Sequence, residues 1–247
     1  MSIDAQRFEK AKEKIIGNTR DRSSIGTLSE KTVHAVLKNY YEPDESKQEI
    51  AIEGMYADIF TGEEIVEIQT RSFDRLRNKL TRFLPLYPVT VVLPIPSTKW
   101  LIWINEETGE LTEKRKSPKK GSYYDAFPEL YKIRPFLTHP NLSIRLVLMD
   151  MEEYRLLNGW STDKKKGSCR YDRIPHRIVE EITFYQKEDY MQLIPLTLPE
   201  EFTAKDFAKA SKINARKAGV TLLLLRETGV ITQTGKRGRE YLYQTTY

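Results

Sequence analysis

MYADIFTGEEIVEIQTR, running from Met55 to Arg71, alternates polar and apolar residues on both sides of Thr61-Gly62, which predicts two β-strands joined by a tight turn. On the second strand the two-residue period sends Ile65, Glu67 and Gln69 to one face, and Val66 and Ile68 to the other. The place of Asp58 depends on the turn. A four-residue loop, Thr61 to Glu64, sets Asp58 directly opposite Glu67, and a two-residue loop at Thr61-Gly62 moves it one diagonal step on the same face. A three-residue loop sends it to the other face. Two carboxylates facing each other on a sheet repel, so the pairing is costly unless a cation stands between them. Hard divalent ions that prefer oxygen ligands, such as Mg²⁺, suit that position.

Asp58, eight further residues and then Glu67-Ile68-Gln69 resemble the core motif of the PD-(D/E)XK nuclease superfamily, the restriction-endonuclease-like fold. Glu30, in TLSEKTVHAVLKNYY, matches the acidic residue that many members carry on their first core helix. SFDRLRNKLTRFLPLYPVTVVLPIP is similar to the helix and strand that follow the motif, so the resemblance runs from Thr27 to Pro96. The pattern departs at two places: Ala57 stands before Asp58 where the family has Pro, and Gln69 stands where it most often has Lys.

The resemblance implies an α/β (α+β) fold with a mixed central sheet flanked by helices. It further implies that Asp58, Glu67, Glu30 and the Ile68 carbonyl hold Mg²⁺ or Mn²⁺, activating a water that Gln69 orients for hydrolysis of a DNA phosphodiester bond. A neutral amide can orient water but brings no positive charge to the transition state. That keeps open an alternative of another class, a non-catalytic DNA-binding regulator or accessory protein on the nuclease-like scaffold.

Charge is distributed unevenly. The whole chain carries +5, yet from Thr203 to Tyr247 nine Lys or Arg face three acids, so this end is basic and the remainder is close to neutral. A basic module on a near-neutral body points to a polyanion partner. Cys169 alone allows neither an intramolecular disulfide nor a Cys-rich zinc site, and His34, His139 and His176 are too scattered to read as a cluster. The start lacks an apolar signal core and the apolar runs are short, so the expectation is a cytoplasmic protein away from membranes.

Taken in order, helices are expected over Asp4 to Ile16, from Thr27 or Ser29 to Tyr41, and over Phe73 to Leu84. Strands are expected over Gln48 to Glu53, Thr90 to Leu93, Trp100 to Ile104 and Leu142 to Asp150, with a helical stretch from Tyr124 to Lys132. Arg71 and the basic face of the helix after it are candidates for guiding phosphate. KRKSPKKGSYY, near 113–121, reads as a basic loop, and 159–173 as a second one mixing Lys164, Lys165, Lys166, Arg170 and Arg173 with glycine, hydroxyl and aromatic residues. Such a mixture suits phosphates and bases, and equally suits a surface insertion.

The chain then divides into a nuclease-like domain over 1–198 and a small domain over 199–247. In the latter, Thr203 caps a short helix, Asn214 or Ala215 starts a longer one ending at Gly229, and two strands flank Thr234-Gly235-Lys236-Arg237-Gly238. Helix, turn, helix and basic hairpin resemble a winged helix. That resemblance puts Asn214, Arg216 and Lys217 at the start of the recognition helix and Lys236, Arg237 and Arg239 on the wing. The expected partner is duplex DNA; RNA and a homodimer are compatible with the same sequence.

Overall fold

The computed structural model describes residues 3–17, 32–158 and 167–246. Its elements are helices α1 (Ala5–Ile16), α2 (Thr32–Tyr41), α3 (Phe73–Phe83), α4 (Phe127–Leu130), α5 (Ala204–Ala210) and α6 (Ala215–Glu227). Strands β1 (Gln48–Ile52), β2 (Met55–Phe60), β3 (Ile65–Ile68), β4 (Val89–Ile104), β5 (Arg115–Lys116), β6 (Leu142–Leu156) and β7 (Cys169–Phe184) form one mixed sheet in the order β1-β2-β3-β4-β6-β7, with β5 pairing β4. Strands β8 (Glu201–Thr203), β9 (Ile231–Arg237) and β10 (Glu240–Thr245) form a second, three-stranded sheet in the order β8-β10-β9. The protein is therefore mixed α/β, a large sheet flanked by helices, as the sequence leads one to expect.

The chain clusters into two interleaved units. One comprises 1–50, 94–122 and 147–181, the other 51–93, 123–146 and 182–247.

In the second unit, β2 and β3 are antiparallel with Phe60 opposite Ile65 and Ile59 opposite Val66. This is the four-residue turn, closed by Thr61 N–H donating to the Glu64 carbonyl at 3.1 Å and by Gly62 at φ 96. Strand β3 then runs parallel to β4, Glu67 opposite Val91, through the crossover helix α3. All four residues of β3 are buried, so this strand is covered on both faces of the sheet as well as paired on both edges. Helix α3 forms because Phe73, Leu76, Leu80 and Phe83 repeat at helical spacing and bury one stripe. The C-terminal module belongs to this unit: Thr203 and Asp206 cap α5 reciprocally, and Asn214 caps α6 by accepting from Lys217 N–H.

In the first unit, α1 starts at the Asp4 cap and buries Phe8 edge-on against Tyr40 of α2, at 5.8 Å between ring centroids. Ile102, Tyr154 and Ile174 form a small cluster on β4, β6 and β7, and Ile16 at the end of α1 packs against it.

Three expectations need correcting. The separate strands at 90–93 and 100–104 are one strand, β4, that continues through Pro94 and Pro96. Strand β6 extends past Asp150 through Met-Glu-Glu-Tyr-Arg-Leu, because its acidic residues are covered by cations rather than by water. Residues 169–173 belong to the long strand β7, so Arg170 and Arg173 project from a sheet and not from a loop. Glu30 and Lys164, Lys165 and Lys166 lie outside the described residues, as does the start of the helix expected before Tyr41.

Candidate active site

The four-residue turn sets the register that carries the site. Beyond Ile59 opposite Val66, the next facing positions are Asp58 and Glu67, and here side chains replace the ladder. Ile68 N–H donates to Asp58 Oδ2 at 2.7 Å, and Asp58 N–H donates to Glu67 Oε1 at 3.3 Å. Both carboxylates are buried, with Glu67 only 1% exposed.

A third group completes the site. Lys79 Nζ, on α3, donates to Glu67 Oε2 at 2.7 Å and to Oε1 at 3.0 Å, and lies 3.8 Å from Asp58 Oδ1. In the sequence this lysine is one cation among several on the basic face of the helix, and charge alone does not single it out from the others. The available signal was its place on the helix: Lys79 borders the apolar stripe of Phe73, Leu76, Leu80 and Phe83, and at that edge a long side chain reaches the sheet.

With both acids ionised, two carboxylates and one ammonium leave the site one positive charge short of balance. Burial, and then the neighbouring Asp58 carboxylate, push Glu67 up to about 8, against the opposing pull of Lys79. The site thus has more negative field than its own cation offsets. A hard cation bound by these carboxylate oxygens fits that imbalance. Among the described residues no group of three or more His, Cys, Asp or Glu is arranged to hold a metal.

The amide nitrogen of Gln69 is engaged in the turn that follows β3. It donates to the Arg71 carbonyl and, at 3.4 Å, to the Ser72 carbonyl, while the Gln69 backbone N–H continues the ladder to Val92. The side chain braces the turn into α3, where Ser72 adopts φ 60. Arg71 itself is exposed on that turn.

Of the residues proposed for nucleic acid, Lys236, Arg237 and Arg239 are exposed on the β9–β10 hairpin, Lys236 lying over the Tyr241 ring at 5.1 Å. Arg216 is exposed at the start of α6, and Lys217 is ion-paired with Asp125. Pro128, Tyr131, Asn214, Arg216, Lys217 and Val220 line a cleft of about 480 Å³ there.

A second buried polar cluster lies on β6 in the first unit. Glu153 accepts from Lys99 at 3.1 Å, Arg155 at 2.8 Å and Arg173 at 3.1 Å, and Glu152 from Lys114 at 2.6 Å and Tyr154 at 3.0 Å. His176 Nε2 lies 3.2 Å from Glu152. Burial alone would raise both acids, but these partners outweigh it and hold each at about 2.

The chain belongs to the family described as Domain of unknown function (DUF8091), whose model matches residues 31–185. That span takes in Asp58, Glu67, Lys79 and the Glu153 cluster and stops short of the C-terminal module. The chain is also 33% identical over 229 residues to an "Uncharacterized protein" of Treponema pallidum (strain Nichols), covering 90% of this chain and 87% of that one. A match of that extent leaves too few residues outside it to omit the whole of 199–247. No solved structure matches the chain. Among the described residues, no helix is long and apolar enough to cross a membrane.

Proposed function

We propose that this protein is a divalent-metal-dependent nuclease that hydrolyses phosphodiester bonds of DNA. The observation that carries the reading is the meeting of Asp58, Glu67 and Lys79 on two paired strands and the crossover helix. The order α2, β1, β2, β3, α3, β4, with β2 and β3 antiparallel and β3 and β4 parallel, supports a restriction-endonuclease-like core. Asp58 and Glu67 would hold Mg²⁺ or Mn²⁺, and Glu30 and the Ile68 carbonyl are the further ligands that the family resemblance implies. When bound, such an ion supplies Lewis acidity at a phosphoryl oxygen and a more acidic water.

The chain's own residues do the rest. Lys79 brings the positive charge that Gln69 lacks, and an ammonium beside the carboxylates stabilises the charge that develops as water adds to phosphorus and the leaving oxygen departs. Ile68 N–H fixes one oxygen of Asp58 and so aims the other. Gln69 shapes the turn that carries α3. The β8, α5, α6, β9, β10 module, with its β8-β10-β9 sheet, supports a winged helix that binds duplex DNA mainly through phosphates.

A second reading, a DNA-binding protein that keeps the scaffold without cutting, draws on the Lys79 ion pair itself, since an internal cation can balance the acids permanently. The two readings separate in one experiment. Plasmid, linear duplex and RNA are incubated with Mg²⁺ or Mn²⁺ and wild type, Asp58→Ala, Glu67→Ala or Lys79→Ala, with DNA binding measured in parallel. The nuclease reading expects metal-dependent cutting that every variant loses while binding persists; binding without cutting by any form selects the second reading, and cutting of RNA alone changes the substrate class.

A further inference from the structure

The Glu153 cluster has the opposite charge imbalance to the Asp58–Glu67 pair. Glu153 is 2% exposed, whereas the side chains of Lys99, Arg155 and Arg173 around it remain 24%, 22% and 20% exposed. One buried carboxylate thus braces three cations that reach solvent, a local excess of two positive charges. Their roles differ. Arg155 is engaged at all three of its nitrogens, giving Nη1 to Glu153 and Nε and Nη2 to Ser168 across the β6–β7 hairpin. Arg173 engages Glu153 through Nε, and a guanidinium carries five donors, so its Nη edge can meet a second acceptor.

The sheet sets these cations in a row. Arg115 on β5 lies opposite Leu101 of β4, and Leu101 shares a face with Lys99 two residues away. Strand β4 neighbours β6, and β6 neighbours β7. Arg115, Lys99, Arg155 and Arg173 therefore cross four adjacent strands spaced about 4.8 Å apart, a span of about 14 Å. That is about four base-pair steps of duplex. Helix α1 attaches to the other face, where Ile16 packs on Ile102, Tyr154 and Ile174 and Lys12 donates to the His176 carbonyl. A single small anion would satisfy one end of such a row; a polymer of phosphates matches its length.

We propose that the face carrying Arg115, Lys99 and Arg173, braced by Glu153 and Arg155, binds the phosphodiester backbone of a nucleic acid. Lys99 is the residue here that sequence gave no reason to choose. Burial first, and then Arg173 and Arg155 against the pull of Glu153, lower its pKa, which fits a site with cation to spare. The inference asks only for binding and is independent of cleavage chemistry.

The test therefore uses the full-length protein in EDTA. Binding of a short fluorescein-labelled duplex is followed by anisotropy across a salt series for wild type, Lys99→Gln, Arg173→Gln and the conservative Arg173→Lys. Each Gln variant should flatten the slope of log K against log salt by about 1, and Arg173→Lys should retain most of it. Unchanged slopes in folded Gln variants overturn the proposal, as does absence of duplex binding. A second measurement needs no variant: Lys99 is partly exposed, so exhaustive lysine acylation followed by mass spectrometry should label it, and saturating duplex should protect it. Continued labelling under duplex, or equal protection by inorganic phosphate at the same ionic strength, overturns the polymer site.

Discussion

Two buried polar clusters, one in each unit, solve the same problem with opposite signs. Around Glu67 two carboxylates share one ammonium; around Glu153 one carboxylate holds three cations. Burial pushes both glutamates towards the neutral acid, yet Glu67 ends near 8 and Glu153 near 2, because neighbours decide the outcome. The contrast teaches that a buried carboxylate's chemistry follows from the balance of charge around it, and that a deficit of one sign is a specification for a ligand of the other.

The sharpest way to break this comparison is the same isosteric change at each acid. Glu67→Gln should reduce metal-dependent cleavage by about 10³-fold, the scale for losing a principal electrostatic element of a site. Its effect on the fold runs with pH. The folded-state pKa of Glu67 is raised above its ordinary 4.5, so its contribution is favourable below that value and is lost as pH rises through about 8. Urea denaturation in EDTA should therefore show the stability difference moving in favour of Glu67→Gln between about pH 4.5 and 8, and a difference flat in pH would refute the assignment. Lys79→Met exposes the same balance from the other side: it leaves Glu67 buried without its cation and should cost about 3–5 kcal/mol at high pH, less where Glu67 is protonated.

Glu153→Gln should show the reverse trend. A depressed carboxylate contributes stability above its unfolded value near 4.5 and loses it as pH falls towards 2. At neutral pH the variant should lose about 1.5–3 kcal/mol, the worth of hydrogen bonds to a charged group, and the gap from wild type should close in acid. Denaturation at pH 7 and pH 3 measures both ends, and a gap that widens in acid would put the ionised form of Glu153 in the wrong place.

Much of the first cluster was legible in the sequence and little of the second. Period-two alternation and Thr61-Gly62 located the hairpin, and Asp58 opposite Glu67 was one of three registers that the turn allowed; only the observed Phe60–Ile65 pairing chooses among them. Helix α3 was readable from Phe73, Leu76, Leu80 and Phe83, yet Lys79 was not, since periodicity marks the stripe and says nothing of what a lysine at its edge touches. Strand β7 was read in part as a loop because Arg170, Asp172 and Arg173 look solvated, and strand β6 buries Asp150, Glu152 and Glu153 because each finds a cation, Arg177, Lys114 and Arg173 among them. Pairs far apart in sequence, such as Lys99 with Glu153, have no local signature at all. Glu30 and Lys164 to Lys166 lie beyond the described residues, so their expected roles rest on sequence.

The smallest effect tests how the C-terminal module meets DNA. Helix α6 packs on 123–136 through Lys217 paired with Asp125 and Arg134 lying 3.7 Å from Glu227, whereas Arg216 is exposed. A partly exposed ion pair is worth about 0.2–1 kcal/mol, so Lys217→Ala should lower stability by no more than that. If α6 approaches phosphate from its exposed side, Arg216→Ala should flatten the salt dependence of duplex binding by about 1 and Lys217→Ala should change it far less. Equal loss from the two would mean that the Asp125 pair opens on binding, and that α6 is presented to DNA only after leaving the contacts seen here.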